Sequence, residues 1–143
     1  MKLRDHTIIA AATGAAAYLA TKSPGFTAGI VLSGIFIDLD HFYDYFRNVA
    51  YKIDIRDFFY KCHNYEFKKL YVPLHSYEFL VLLALVGCFY PAKIILGALA
   101  GSSIHLLADL LYNKVYFFTY SFAYRLSEKF DSKVLFRPPY GQN

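Results

Sequence analysis

Seven side chains able to bind a metal ion occur in four separate stretches of this chain. They are His6, then Asp38, Asp40 and His41 in the run Asp38-Leu39-Asp40-His41, then His75, then His105 with Asp109 one helical turn later. Imidazole nitrogens and carboxylate oxygens are donors that zinc, manganese and iron accept. His105 and Asp109, at i and i+4, share a helix face and can reach one ion together. In an extended or turning segment Asp38 and Asp40 face one way, whereas in a helix Asp38 pairs with His41 instead. Singly, each residue has a plainer use: His6 and His75 as structural histidines, an Asp as a helix cap, Ser76 as the N-cap beside His75. The set gains weight from where it recurs, at one end of each of four apolar stretches.

Seven donors exceed the four of a tetrahedral zinc ion. The expectation is therefore one to three divalent ions, zinc first with manganese or iron as alternatives, and part of the set orienting ligands or moving protons. An ion with an open position lowers the pKa of water to about 7, so the reaction class expected is hydrolysis. Asp38, Asp40 and Asp109 are the candidate catalytic bases. Glu78, one turn beyond His75, is a further candidate to orient a ligand or act as base, the plainer reading being an acid favoured at a helix start. His63 lies off the pattern.

The elements that must position these residues are four apolar stretches: Thr7 to Thr21, Ser23 to Ile37, Phe79 to Ala92, and Ile94 to about Tyr112. Ser23-Pro24-Gly25 and Pro91 mark short connections, so each pair should form an antiparallel hairpin. In up-down-up-down order, the start of the first helix, the end of the second, the start of the third and the end of the fourth share one side. Those are the places where the seven residues stand. Gly97, Gly101, His105 and Asp109 form one stripe, as do His6, Ala10 and Gly14, and Gly34 precedes Asp38 by four. Small residues at this spacing let helix backbones approach closely. The polar-aromatic stretch Phe42 to Val72 reads as one or two amphipathic helices, and the tail Lys114 to Phe136 as a segment lying along a membrane interface. The fold class expected is all-α: residues 1–143 as a single domain, a membrane-embedded four-helix bundle with amphipathic interfacial helices between helices 2 and 3 and at the C-terminus.

Composition bears on the surroundings. Apolar residues make up 57% of the chain, above the soluble norm. Each uncharged run is only 11 to 15 residues, short of the roughly 20 that cross a bilayer. Extending each helix through its polar ligands restores that length, because intramembrane ionisable groups are tolerated when they face the bundle interior and pair. The net charge of +4 suits an anionic membrane surface or a nucleic acid, and its placement favours membrane. Of 15 Lys and Arg, only Lys22 and Lys93 fall in the two short connections, the other 13 lying on the side of the seven ligands. This is the positive-inside pattern, and places the ligand side in the cytoplasm, at the inner membrane. No nucleic-acid motif is present, so no nucleic-acid partner is expected. Cys62 and Cys88 have no CxxC spacing and read as packing residues or as a sign of a reducing compartment.

The order His, Asp-x-Asp-His, His-Ser, His-x-x-x-Asp within a short hydrophobic chain resembles the membrane-bound metal-dependent hydrolases of the bacterial YdjM type. Asp5-His6, Ile37-Asp38-Leu39-Asp40-His41, His75-Ser76 and Gly101 to Asp109 carry the resemblance. It implies ligand roles for the seven residues and a distant relation to zinc-dependent phospholipase C and S1/P1 nuclease, hence hydrolysis of a phosphoester such as a lipid headgroup. The family pattern has His-Arg shortly before Thr-His-Ser, where this chain reads Tyr71-Val72-Pro73-Leu74-His75-Ser76. One ligand and a phosphate-binding Arg are thus absent there, and Ile37 replaces a Pro. The functional expectation is a metal-dependent phosphoester hydrolase with membrane lipid as partner. The alternatives are a non-catalytic protein that binds or transports a metal ion, and a soluble helical protein with structural histidines.

Overall fold

A computed structural model describes residues 3–49, 54–64, 66–113 and 115–136. The chain is all-α. Among the described residues eight helices follow one another: α1 (Leu3–Thr21), α2 (Pro24–Phe36), α3 (Asp40–Val49), α4 (Ile55–Asn64), α5 (Tyr77–Phe89), α6 (Lys93–Tyr112), α7 (Phe122–Ser127) and the single turn α8 (Ser132–Leu135). Tight 3₁₀ turns at Ile37–Leu39 and Phe117–Tyr120 complete the element order.

The helix boundaries follow local chemistry. Ser23 caps α2, its side chain accepting from the Phe26 N–H, and Pro24 stands in the first turn where a missing N–H costs nothing. Ser76 caps α5 in the same way through the Phe79 N–H at 3.1 Å. Lys22 turns the first hairpin with φ of 51°.

On α1, the residues buried are His6, Ala10 and Gly14, a single narrow stripe. That stripe meets α2, where Gly34 lies 3.0 Å from Ala10 for an added Cβ. Helices α2 and α6 are closer still. A Cβ on Gly29 would collide with the Ile94 carbonyl, one on Gly97 with the Phe26 carbonyl, and one on Gly101 with the Ile30 carbonyl. The two backbones touch because glycine leaves nothing between them. Helices α1, α2 and α6 form the central trio, with α5 packed mainly on the outside of α6. The packing is therefore three helices plus one flanking helix. Its cause is that α5 buries only Gly87, too narrow a strip to wedge between two partners.

Two segments, Pro24–Val49 (α2 through α3) and Lys93–Tyr112, are long and apolar enough to cross a membrane, and Tyr77–Phe89 is a shorter apolar helix. Their outward faces remain apolar: Leu32, Leu82, Leu85, Phe89, Ile94 and Leu96 are all exposed.

At the other end sits a cap. Helices α3 and α4 pack through Tyr45 and Phe58 onto Phe67, so the stretch expected to hold one or two amphipathic helices before Val72 holds two. The tail also packs against the chain itself. It folds back over the end of the helices, where Leu70, Val72 and Leu135 form a buried cluster. The Leu70 N–H donates to the Phe130 carbonyl at 2.9 Å, and Thr119 Oγ1 to the Leu135 carbonyl at 2.6 Å. A tail that can bury leucines against its own chain and satisfy backbone groups there gains more than one spread flat on a surface.

Candidate metal centre

All seven side chains singled out from the sequence meet beneath this cap. The stripe on α1 ends at His6 and that on α6 at His105 and Asp109, both buried. The 3₁₀ turn after α2 tightens the chain so that Asp38 and Asp40 point to different sides of His75. Asp38 pairs with His41 at i+3, Oδ1 to Nε2 3.7 Å, which is the helical alternative of the two open from the sequence. Asp38 Oδ1 also lies 3.3 Å from His75 Nε2 and 3.4 Å from His105 Nε2. Asp109 Oδ2 is 3.7 Å from His75 Nε2 and 3.5 Å from His105 Nε2, and its Oδ1 is 3.2 Å from His6 Nε2. His75 Nε2 and His105 Nε2 are 3.2 Å apart, and the His6 and His105 rings stack with centroids at 3.8 Å.

The other ring nitrogens fix which atoms are lone pairs. His105 Nδ1 lies 2.9 Å from the Gly34 carbonyl, which can only accept. His75 Nδ1 lies 2.9 Å from Asp40 Oδ1, an acceptor when ionised. Both Nδ1 atoms therefore carry the hydrogen, and in the neutral rings both Nε2 atoms present bare lone pairs. Four acceptors, namely two Nε2 atoms and the facing oxygens of Asp38 and Asp109, are thus aimed at one point. Without a positive charge among them they repel. Burial alone would hold His75 in its neutral form, but the Asp40 carboxylate, aided by Asp38, draws it well above its ordinary range. The pocket favours a cation.

The spacing fits one. A tetrahedral shell with bonds of about 2.0–2.1 Å has donor–donor edges of about 3.3–3.4 Å, against 3.2 to 3.7 Å for the five edges above. Two triads of donors, His6, His105 and Asp109 on one side and Asp38, His41 and His75 on the other, could each hold a metal ion. The Asp109 carboxylate faces His6 with one oxygen and the central quartet with the other, an arrangement suited to bridging.

Asp40 is placed differently from its expected role as ligand and base. Its Oδ1 accepts from His75 Nδ1, while Oδ2 accepts from the Leu74 N–H at 2.9 Å and the His75 N–H at 3.2 Å. With both oxygens engaged behind the His75 ring, it orients that ring toward the centre. Of the three carboxylates Asp38 is the most open, its side chain 18% exposed against 6% for Asp109 and 3% for Asp40. Glu78 stands away from the centre. It accepts from Ser121 Oγ at 2.8 Å, the Phe122 N–H at 2.7 Å and the Ala123 N–H at 3.1 Å, and so caps α7. The side chain of His63 lies outside the described residues.

Two residues not singled out from the sequence complete the site. The irregular segment bearing His75 is held by a buried acid on one side and a buried arginine on the other. Asp44, one turn after Asp40 on α3, accepts from the Tyr71 N–H at 2.9 Å and the Val72 N–H at 3.3 Å. Arg125 from α7 donates Nη1 to the Val72 carbonyl at 3.0 Å and Nη2 to the His75 carbonyl at 3.1 Å. Together they hold Val72 at the left-handed φ of 29°, a conformation a branched residue adopts only when its surroundings impose it. The i, i+4 spacing of Asp40 and Asp44 was a legible signal for the first. Nothing local marks Arg125, which sits in a six-residue helix.

No protein-family model, curated protein or solved structure matches this chain. What the site can do is accordingly read from its own geometry.

Proposed function

We propose that this chain is a membrane-bound, metal-dependent hydrolase whose substrate is a phosphoester, a lipid headgroup in first place, met at the cytoplasmic face. The observation carrying this reading is the convergence of two imidazole Nε2 atoms and two carboxylate oxygens, 3.2 to 3.7 Å apart along the edges between them, at one buried point. Imidazole and carboxylate in equal number at tetrahedral spacing suit zinc, with manganese and iron as the other ions such donors accept. A bound divalent ion supplies Lewis acidity toward a phosphoryl oxygen and eases the deprotonation of water.

The chain's own residues supply the rest. His75 and His105 are held rigid by Asp40 and the Gly34 carbonyl, so the site needs little reordering to receive an ion. Asp38, the most exposed carboxylate, is the group placed to accept a proton from an attacking water. His41, whose Nδ1 is buried without a hydrogen-bond partner, stands beside it facing the adjoining cavity.

The membrane part of the reading is supported by the two long apolar segments and by the exposed apolar faces beside them. The cationic residues on the ligand side support a cytoplasmic orientation. Metal transport fits less well, because the contact of α2 and α6 through Gly29, Gly97 and Gly101 closes the space an ion would cross. Metal analysis of protein purified in detergent, with His105→Ala and Asp38→Ala beside it, tests the centre. Release of phosphate or headgroup from phospholipid by the same samples tests hydrolysis. Protein without metal after zinc-replete purification would defeat the first, and metal-replete protein inert toward phosphoesters the second.

A further inference from the structure

The tail brings to this site a charge that holding a metal does not require. Arg125 is 0% exposed, yet its two Nη groups donate to the neutral carbonyls of Val72 and His75 and its guanidinium lies over the Phe122 ring at 5.6 Å, with no carboxylate among the described residues in direct contact. Its Nε is buried with no hydrogen-bond partner. Burial pushes the guanidinium down to about 10, with Asp40 and Asp44 opposing through space. A buried cation without a contacting anion is costly to maintain, and two backbone carbonyls could be bound by neutral donors at less expense. The unspent charge and the orphaned N–H both call for an anion.

A space for one adjoins it. A cavity of about 60 Å³ has Arg125, His41, His75 and Asp109 among its polar lining, while most of its wall is apolar, Val72, Val115 and Phe136 included. At about 30 Å³ per water this holds about two waters, a volume on the scale of a single phosphoryl group. Two of its polar walls, His75 and Asp109, are also donors of the central quartet. An anion in this cavity would therefore share its walls with Arg125 and with two residues of the metal centre.

We infer that this cavity is the seat of the substrate's phosphoryl oxygens, held by the Arg125 guanidinium and the metal centre. The inference rests on the hydrolase reading above and names the group that its substrate presents. Arg125 acts here as a binding residue as well as a brace for the segment carrying His75. Arginine suits both duties, since its planar fork spans two carbonyls while Nε and the delocalised charge remain free.

The test uses the full chain, zinc-loaded, in nanodiscs of neutral phosphatidylcholine, titrated with inorganic phosphate by calorimetry, with zinc content measured on the same samples. The wild type is expected to bind one phosphate per chain. Arg125→Met at unchanged zinc content should bind it about tenfold more weakly or worse, the cost of a charge-assisted hydrogen bond. Val115→Leu, which adds a methylene to another lining residue of the cavity and leaves Arg125 in place, should weaken phosphate as well. Wild-type phosphate affinity in zinc-replete Arg125→Met overturns the inference, as does zinc-loaded wild type that binds no phosphate. Should Arg125→Met lose its zinc or its fold, Val115→Leu decides, and unchanged affinity there overturns the inference. Wild type that holds no zinc counts against the metal centre itself, a separate failure. Nanodiscs containing phosphatidic acid distinguish the sources: competition with inorganic phosphate marks a lipid-borne phosphoryl group, its absence a free one.

Discussion

Under the metal-centre reading, replacing Asp40 by Asn separates a donor to the ion from a residue that aims one. Asp40 Oδ1 receives the His75 Nδ1 hydrogen, and Oδ2 receives two backbone N–H groups, from Leu74 and His75. An amide has one accepting end. If its oxygen faces His75 Nδ1, its NH2 points at two N–H donors; if reversed, NH2 confronts the imidazole hydrogen. Either rotamer loses at least one charge-assisted hydrogen bond, worth about 1.5–3 kcal/mol, and loosens the His75 ring. The corresponding loss in metal affinity is about 10–100-fold, with stoichiometry retained at saturating zinc. Asp38→Asn should behave otherwise. Asp38 Oδ1 faces both Nε2 atoms of the quartet, so its replacement removes a donor and lowers the amount of metal retained. Competition against a chromophoric chelator gives the affinities, and elemental analysis the stoichiometry. Equal loss of metal in both variants, or wild-type affinity in Asp40→Asn, would refute the division of roles argued here.

Removing the ion forfeits the free energy of its binding to the folded state, so chelation from a metal concentration 100-fold above Kd should lower the thermal midpoint by about 10 °C, read by circular dichroism. Gly97→Leu should destabilise by about 3 kcal/mol or more, because its side chain would start against the Phe26 carbonyl. Gly87→Ala, whose Cβ would meet the flexible Leu96 side chain at 3.3 Å, should change stability by about 1 kcal/mol or less; comparable denaturation midpoints for the two would contradict the backbone contact. Burial pushes the Cys62 thiol up to about 12, so the folded state disfavours its thiolate. Stability is then undiminished below pH 9 and falls as pH rises from about 9 toward 12, a slope that Cys62→Ala should flatten in pH-dependent melts. Cys88, exposed near the connection between α5 and α6, should react with a membrane-impermeant maleimide from the side opposite the tail in intact cells. Labelling of Cys88 only after the cytoplasmic side is opened would reverse the orientation.

Helix spans and the end at which their functional groups gather were legible in the chain itself. Both rest on short-range physics: apolar runs, Ser23 and Ser76 at caps, prolines at the connections, and i, i+4 spacing that puts Gly97, Gly101, His105 and Asp109 on one stripe. The convergence of the seven donors followed from antiparallel order alone, without any knowledge of side-chain contacts. Roles within the cluster could not be read that way. Whether an oxygen faces an ion or a backbone N–H depends on the 3₁₀ turn at Ile37–Leu39 and on the fold of residues 71–75, where contacts distant in the chain outweigh local preference. Glu78 illustrates the limit: its spacing from His75 suggested chemistry, and its partners proved to be the tail's Ser121, Phe122 and Ala123.

What the sequence determined by itself was the inventory of donors, the helices that carry them and the side on which they meet, because periodicity and turn chemistry act over a few residues. What only the tertiary structure decided was the placement of α5 outside the trio, the folding of the tail into a cap, and the arrival of Arg125 at the cavity. Those outcomes depend on long-range burial and on satisfying buried polar groups, as where the Arg125 guanidinium meets carbonyls some fifty residues earlier.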